Sequence, residues 1–382
     1  ECKACKNECP SNVDMAKLKS EALAKHYEAH GVPVRARAFG EIARLSALGQ
    51  RLAPVTNFMS GLAPVKALTE RFLGISRQRP LPRFARRRFT AWFKRHEYSG
   101  PVMLMAVPPE EMAKMPPRGT EAGLKALRKW SRRQPQVAPA GEIVLFNDTF
   151  TEYMHPEVGQ AAVRVLEGLG YRVTLVKQKT CCGRPLISKG QLAKAKDWAR
   201  INVDALLPYA AQGRIIIGTE PSCLLTLRDE YPDLLQDDAS RKVAASALML
   251  DEFLVRLEGE DPDKVRALFH NRPKQDIQVH GHCHQKAIVG TAPTMKALAL
   301  AGYQAELIDS ACCGMAGTFG FEQEHYEISK AMGALKLFPA IEAESKRDWA
   351  VAVSGISCRQ QIGHFTSKRP RHVAEYLADA LR

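Results

Sequence analysis

The chain's ten cysteines are its most reactive residues, and they fall into three groups: Cys2, Cys5 and Cys9; Cys181, Cys182 and Cys223; and Cys283, Cys312, Cys313 and Cys358. The first group reads Cys2-x2-Cys5-x3-Cys9-Pro10. These are the last three cysteines of a C-x2-C-x2-C-x3-C-P run, which binds [4Fe–4S] and sends its fourth thiolate to a second cluster. The first cysteine of such a run would stand two residues before Glu1, so the expectation is that sequence continues upstream. The last group offers four thiolates, enough for a cubane [4Fe–4S] cluster or for tetrahedral zinc, with unoccupied thiols as the third alternative. Adjacent cysteines such as Cys312 and Cys313 are poor disulfide partners, because the bridge needs a specific geometry. The middle group has three thiols, and the place matching Cys283 falls near Asp148 or Thr149. Three readings stay open for it: a cluster completed by an oxygen ligand, a copy that has lost its metal, or one cluster shared with the last group.

Around these thiols lie other candidates. His280, His282 and His284 alternate, which on a strand places them on one face. They flank Cys283, where a ligand or ligand-supporting role competes with a plain loop reading. His155 reads as a helix-start residue. The stretch Gly314-Met-Ala-Gly317-Thr-Phe-Gly320 matches neither a dinucleotide fingerprint nor a Walker motif. Its glycines fit a backbone that approaches cluster sulfurs closely. No nucleophile–base pair stands out, so no catalytic residue is assigned.

The elements that must hold these residues alternate in type. Residues 142–147, 171–176 and 214–218 read as strands, with helices over 156–169 and 191–209. The order recurs: strands over 276–279, 303–308 and 349–353, helices over 293–301 and 324–340. The two CCG triplets are 131 residues apart, and a single cysteine follows each triplet's second cysteine by 41 and 45 residues. Matching order and matching motifs indicate an internal repeat. Alternation of strand and helix implies mostly parallel sheets, whose ligands bind beyond the strands' C-terminal ends. Upstream, Ser11 is a candidate N-cap with Asp14 three residues on, 13–30 is helical up to Gly31, and 34–75 reads as two or three helices broken at Pro54 and Pro64. Residues 76–140 are basic and proline-rich, with one strand candidate at 102–107.

The composition is that of a globular chain of 382 residues, 45% apolar and 25% charged, with a net charge of +14. No apolar run approaches the length of a membrane span. Clustered cysteines in a long periodic chain indicate metal binding in a reducing, cytoplasmic compartment rather than a secreted disulfide scaffold. Much of the positive charge lies in 71–133, including Arg86-Arg87-Arg88, Lys94-Arg95 and Arg132-Arg133. No recognition motif accompanies it, so no nucleic acid partner is expected. A partner-docking or solvated face is the first reading and an anionic membrane surface, reached peripherally, the second.

The phrases CKNECPSNVDMAKLKSE (5–21), CCGRPLISKG (181–190), EPSCLLTLRDEYPDLL (220–235), HGHCHQKA (280–287), CCGMAGTFGFEQEHYEIS (312–329) and SCRQQI (357–362) resemble the cysteine-rich CCG regions of a known group. That group comprises the CCG-bearing subunit of heterodisulfide reductase, the iron–sulfur subunits of glycolate oxidase and anaerobic glycerol-3-phosphate dehydrogenase, and fused FAD-linked dehydrogenases of the D-lactate or D-2-hydroxyglutarate type. The likeness is weakest over 76–140. It implies a module that takes electrons from FAD, bound by an upstream dehydrogenase domain that oxidises a 2-hydroxy acid, and passes them to a quinone, cytochrome or other acceptor. It also implies [4Fe–4S] ligation by Cys2, Cys5 and Cys9 in the first motif and by the other seven cysteines in the CCG copies. Neither Cys223 nor Cys358 opens the C-x-x-C that closes each heterodisulfide reductase copy.

The expected fold is α/β: a helical ferredoxin-like remnant over 1–75, a basic connector over 76–140, a first CCG unit with its linker over 141–275 and a second CCG unit over 276–382. The competing functions are a zinc-binding or metal-free docking module and a thiol–disulfide enzyme.

Overall fold

In the computed structural model the residues described are 2–11, 13–98, 109–117, 120, 122, 123, 126, 140–269 and 275–381. The strand candidate at 102–107 lies outside them. The chain is α/β, with two four-stranded, wholly parallel sheets of the same strand order. The first holds β1 (Gly141–Leu145), β2 (Tyr171–Leu175), β3 (Ile216–Gly218) and β4 (Ala247–Met249) in the order β2-β1-β3-β4. The second holds β5 (Asp276–His280), β6 (Gln304–Leu307), β7 (Ala350–Val353) and β8 (Arg371–His372) in the order β6-β5-β7-β8. The short strands β4 and β8 close the repeat, and they lack the apolar length that would mark them in the sequence.

Each sheet is covered on both faces, as parallel sheets require. One face lies on a core private to its own copy: Val144, Val203, Leu206 and Ile216 in the first, Val351, Val353, Phe338 and Ile362 in the second. The other face lies on a core shared by both copies, which joins Ile143, Ala161 and Leu166 to Ile277, Ala297 and Leu377. Helices cross over within this shared layer. Pro156–Gly168 of the first copy packs on Val373–Asp379 of the second, and Ala292–Leu300 of the second packs on Leu250–Glu260 of the first. The pairs are equivalent by chain order, so the repeat is also an exchange of contacts about a pseudo-twofold.

One polar junction crosses between the copies beside the cysteines. His372 Nδ1 accepts a hydrogen bond from Ala374 N at 2.9 Å, which leaves the proton on Nε2. That N–H faces two carbonyls at matching places, Ser354 O at 2.9 Å and Thr219 O at 3.2 Å. Glu220 caps its own helix, Pro221–Leu235, through Ser222, and its other oxygen accepts from Ile356 N at 2.9 Å in the second copy. Burial lifts the Glu220 carboxyl to about 7. The place matching Glu220 is Gly355, where a Cβ would meet the His282 ring at 2.3 Å. The second copy therefore borrows its helix cap from the first.

The N-terminal segment is helical but differs in detail from expectation. Asp14, not Ser11, caps the helix Met15–His30, accepting from Ala16 N and Lys17 N. Gly31 ends it at φ 76°. Four helices follow, not two or three: Val34–Gly40, Ile42–Arg51, Ala53–Met59 and Ala63–Leu73. Pro54 and Pro64 open two of them rather than breaking them, since proline fits the first turn, where no N–H is needed. The predicted helix over 324–340 is two, Tyr326–Leu335 and Leu337–Glu342, divided at Lys336. The connector is anchored rather than loose: Phe89 is fully buried in the shared core, and Arg79 is buried in the second copy.

Gly314 adopts φ +93°, and a Cβ there would lie 2.1 Å from Ser329 O. Gly290 has φ +81° with open space around it. Gly290→Ala should cost about 1 kcal/mol, the strain of a left-handed residue, whereas Gly314→Ala should cost about 3 kcal/mol or more from added overlap with backbone. Denaturant unfolding of the two variants checks this, and equal losses would refute the close approach.

Candidate metal centre

The cysteines gather where both copies' strands end. Cys223 and Cys358 each occupy the first turn of a helix, Pro221–Leu235 and Ile356–Phe365, and Cys283 opens Cys283–Ile288. Helix N-termini present free N–H groups and partial positive charge to an anion. The CCG glycines Gly183 and Gly314 take positive φ, which turns the chain sharply behind each cysteine pair. Gly314 N donates to Cys312 Sγ at 3.4 Å. All ten cysteines are free thiols.

In the second copy, Cys283 hydrogen-bonds Cys2 and Cys312, and Cys313 hydrogen-bonds Cys312 and Cys358. The Cys283 thiol is pushed well above the ordinary range by its bonds to Cys2 and Cys312, then by burial. For Cys313 the Cys312 bond favours the thiolate, but the Cys358 bond and burial outweigh it. One ring nitrogen of His280 and the sulfurs of Cys313 and Cys358 all lie within 4.8 Å of one another. In the first copy, Cys181 hydrogen-bonds Cys182 and Cys182 hydrogen-bonds Cys223. The bond to Cys182 favours the Cys223 thiolate, yet burial and Asp148 carry the thiol up to about 12. Thr149 takes the place of Cys283, beside Asp148, which caps its helix, and its hydroxyl reaches the Cys181 sulfur.

Both groups border one cavity of about 230 Å³, whose lining includes Cys181, Cys223, Cys283 and Cys358 and whose outer wall is Phe39, Leu81 and Phe84. Six of the seven CCG cysteines thus line one space, and the seventh, Cys312, hydrogen-bonds Cys283 and Cys313 at its edge. Of the N-terminal three, only Cys2 joins them. Cys5 lies in the short helix Ala4–Glu8 and is exposed, and Cys9 follows that helix. The three histidines do not share a strand face. The strand ends at His280, His282 caps the next helix by accepting from His284 N at 3.2 Å, and His284 lies within that helix. His155 precedes its helix as expected.

The surroundings fit a thiolate-bound anionic group. Arg79 is buried, bonded to Gly320 O, Gln361 Oε1 and Ser329 Oγ, with no carboxylate within ion-pair distance among the described residues. Burial lowers its pKa to about 10, and Cys313 is among the groups opposing that fall. Lys286 stands beside Cys358, Cys283 and Cys312, and Lys179 beside Asp148, Cys181, Glu152 and Cys182; burial lowers both lysines, but Arg79 is the one of the three with no carboxylate among the groups that raise it. A buried cation without a carboxylate is costly unless an anion answers it. Sequence patterns gave no sign of these cations, nor of Asn202 and Tyr231, which hold the Cys181 and Cys182 carbonyls at 3.0 and 2.9 Å. The other potential metal group, Glu322, Glu324 and His325, is already engaged by Lys189 at 2.6 Å and by Arg35.

Residues 148–228 match the family described as the CCG cysteine-rich domain. This part of the chain is a CCG domain. The chain is also similar to a subunit of the anaerobic glycerol-3-phosphate dehydrogenase of Escherichia coli (strain K12), 29% identical over 374 residues that cover 97% of this chain and 83% of that one. D-2-hydroxyglutarate dehydrogenase of the same organism is 25% identical over the whole chain, which spans 34% of that enzyme. Lactate utilization protein A of Exiguobacterium sp. is 28% identical over 255 residues, 63% of this chain and 98% of that protein. The glycerol-3-phosphate and D-2-hydroxyglutarate dehydrogenases fall in the group that the motifs resembled.

Lys3 seats the N-terminal motif. Its ammonium is fully buried against Asp14 at 2.8 Å, Glu230 at 2.7 Å and Asp229. Burial alone would lower its pKa, but these carboxylates raise it. Lys3→Met should cost on the order of 3 kcal/mol by stranding them, and in the metal-free protein it should speed alkylation of Cys2 at least tenfold. Mass spectrometry after a timed iodoacetamide pulse reads that rate, and an unchanged rate would show that the charge cluster does not hold the motif.

Proposed function

We propose that this chain is an iron–sulfur electron-transfer component of an oxidoreductase, partnered by a dehydrogenase whose FAD oxidises its substrate. The observation that carries the reading is the contact of Cys2 with Cys283 and Cys312, which brings the N-terminal motif against the second CCG group. Thiolates of Cys283, Cys312, Cys313 and Cys358 would hold a [4Fe–4S] cluster there, with Cys2, Cys5 and Cys9 belonging to a cluster on the N-terminal side. A bound cluster supplies one-electron carriage, which a flavin needs when it hands on a hydride's two electrons separately. The chain's own residues bury the thiols, exclude water and answer their charge with Arg79 and Lys286. The names of the relatives support a dehydrogenase partner acting on glycerol 3-phosphate, lactate or another 2-hydroxy acid. Cys181, Cys182 and Cys223 with Thr149 form a poorer ligand set, and the second copy is therefore the redox site.

The test is iron, sulfide and zinc content of the anaerobically purified chain, with EPR after dithionite reduction. About four irons for this site and a reduced-cluster signal are expected, and Cys312→Ser should abolish that signal. Stoichiometric zinc without iron would move the chain to the structural reading.

A second reading concerns where electrons leave. The strongly amphipathic helix Ile42–Arg51 buries Ser46 and turns Leu45 and Leu48 outward. Leu52, Val55, Phe58, Leu68 and Phe72 extend the exposed apolar set, with Phe58 67% and Phe72 71% exposed. Residues 31–98 contain 14 Lys and Arg against 3 Glu, eleven of the chain's fourteen net charges. Apolar and cationic surface together suit the face of an anionic bilayer. No helix among the described residues is long and apolar enough to cross one. A quinone in that bilayer is the acceptor this surface favours, because Phe39, Leu81 and Phe84 of the same segment also wall the cysteine cavity. The chain should co-sediment with vesicles containing phosphatidylglycerol, and Phe58→Glu with Phe72→Glu should lower that binding at least tenfold. Equal binding by the double variant would sink the membrane reading and leave this face to the dehydrogenase partner.

A further inference from the structure

His280 is a buried donor beside the thiols that the electron-transfer reading leaves unused. It ends β5, is 1% exposed, and its Nδ1 lies 2.9 Å from Ser310 Oγ. Its Nε2 is buried without a hydrogen-bond partner. With Nδ1 engaged, Nε2 is the nitrogen available to the trio it forms with Cys313 and Cys358. Burial, with Lys286 and His282 nearby, holds the ring neutral and its pKa at about 3. A neutral imidazole has one N–H and one lone pair. If Nδ1 carries the proton, Ser310 accepts it and the lone pair on Nε2 faces the sulfurs. Histidines that bind metals usually donate their second N–H in this way.

The repeat gives an internal comparison. His280 pairs with Val353, five residues before Cys358, and the first copy's Gly218 stands five residues before Cys223. Leu145 pairs with Ile217, so Phe146 occupies the place of His280. Counting back from the CCG triplets, Lys179 occupies the place of Ser310. The imidazole and the hydroxyl that orients it are therefore both absent from the copy with the poorer thiol set. There Lys179 lies over the Phe146 ring instead, 4.9 Å from its centroid.

We propose that His280 is a nitrogen ligand, through Nε2, to the metal group bound by Cys313 and Cys358, with Ser310 Oγ accepting from Nδ1–H to fix the tautomer. The inference rests on the iron–sulfur reading and deepens it. A cubane cluster takes four protein ligands, so a nitrogen at one position leaves one of this copy's four thiols uncoordinated. Cys283, which reaches across to Cys2 outside this copy, is that thiol, which narrows the thiolate set given above. Replacing a thiolate by neutral imidazole removes negative charge from the site and raises its reduction potential, as in mixed histidine–cysteine clusters.

The test is pulsed EPR of the full chain, reconstituted with iron and sulfide and reduced, with and without 15N-histidine. A strong 14N coupling that converts to 15N on labelling is expected. It should vanish in His280→Phe, which copies the first repeat, and persist in His284→Ala and Cys283→Ser. The labelling arm uses the unaltered protein and shows whether any histidine is a ligand, and persistence of the coupling in His282→Ala and His284→Ala then leaves His280 even where His280→Phe fails to fold. Iron bound with a normal cluster signal but no histidine coupling would overturn the ligation and leave the electron-transfer reading standing. A coupling that survives His280→Phe would overturn it too. A chain that takes up no iron would overturn both.

Discussion

One imidazole and one carboxylate hold the two halves of this molecule in register. His372 shares its Nε2–H between Thr219 O and Ser354 O, which precede the two cysteine-bearing helices at equivalent places. Glu220 caps both of those helices. All these partners but Ser222 are buried, so breaking the junction would strand carbonyl and N–H groups without water, at a cost larger than the net worth of the bonds themselves. The thiols of both copies are therefore positioned by a shared, saturated network rather than by two independent loops. The pseudo-twofold helix layer behind it adds area, and the junction adds registration.

Much of this was legible in the sequence because it rests on local signals. CCG triplets, strand–helix alternation and a fixed spacing to the next cysteine specified two parallel α/β units and put the thiols beyond the strand ends. The helices expected over 156–169 and 293–301 are each followed at once by a glycine, Gly170 and Gly302, and both glycines take positive φ. What the sequence hid was set by distant contacts. β4 and β8 have three and two residues, and only their pairing with β3 and β7 defines them. Asp14 outcompeted Ser11 as a cap while also answering Lys3 from the opposite side. Arg79, read as part of a basic connector, bridges three residues of the second copy. The alternation of His280, His282 and His284 suggested a strand face, but the strand ended at the first of them, so each ring serves a different element.

The copies have diverged along one chemical axis. The second has Cys283, His280 and Ser310 where the first has Thr149, Phe146 and Lys179. In the first copy a hydroxyl replaces the soft donor Cys283, a ring carbon face replaces the nitrogen donor His280, and a fixed cation replaces the hydroxyl that orients that imidazole. A hydroxyl is a weak ligand for iron or zinc, and a lysine ammonium has no lone pair to offer. Yet Cys181, Cys182 and Cys223 keep their places in a core with Val144, Leu206 and Leu224, where free cysteines pack as small apolar groups. Retention of those three thiols is thus compatible with a copy that is mainly structural.

Without a metal, the second site is electrostatically unresolved. Burial and mutual hydrogen bonds keep Cys283 and Cys313 protonated at neutral pH, while Arg79 remains charged in the same interior without a carboxylate. Neutral thiols beside a buried cation satisfy neither. A thiolate-bound cluster resolves both at once, because ligation removes the protons and leaves a net negative object for Arg79 and Lys286 to face. Metal uptake is then linked to proton release, and affinity should grow as pH rises toward the elevated thiol range. The same fixed cations would favour the more negative, reduced form of the cluster. That charge compensation comes from groups already in place, so taking up an electron requires little rearrangement of the protein around it.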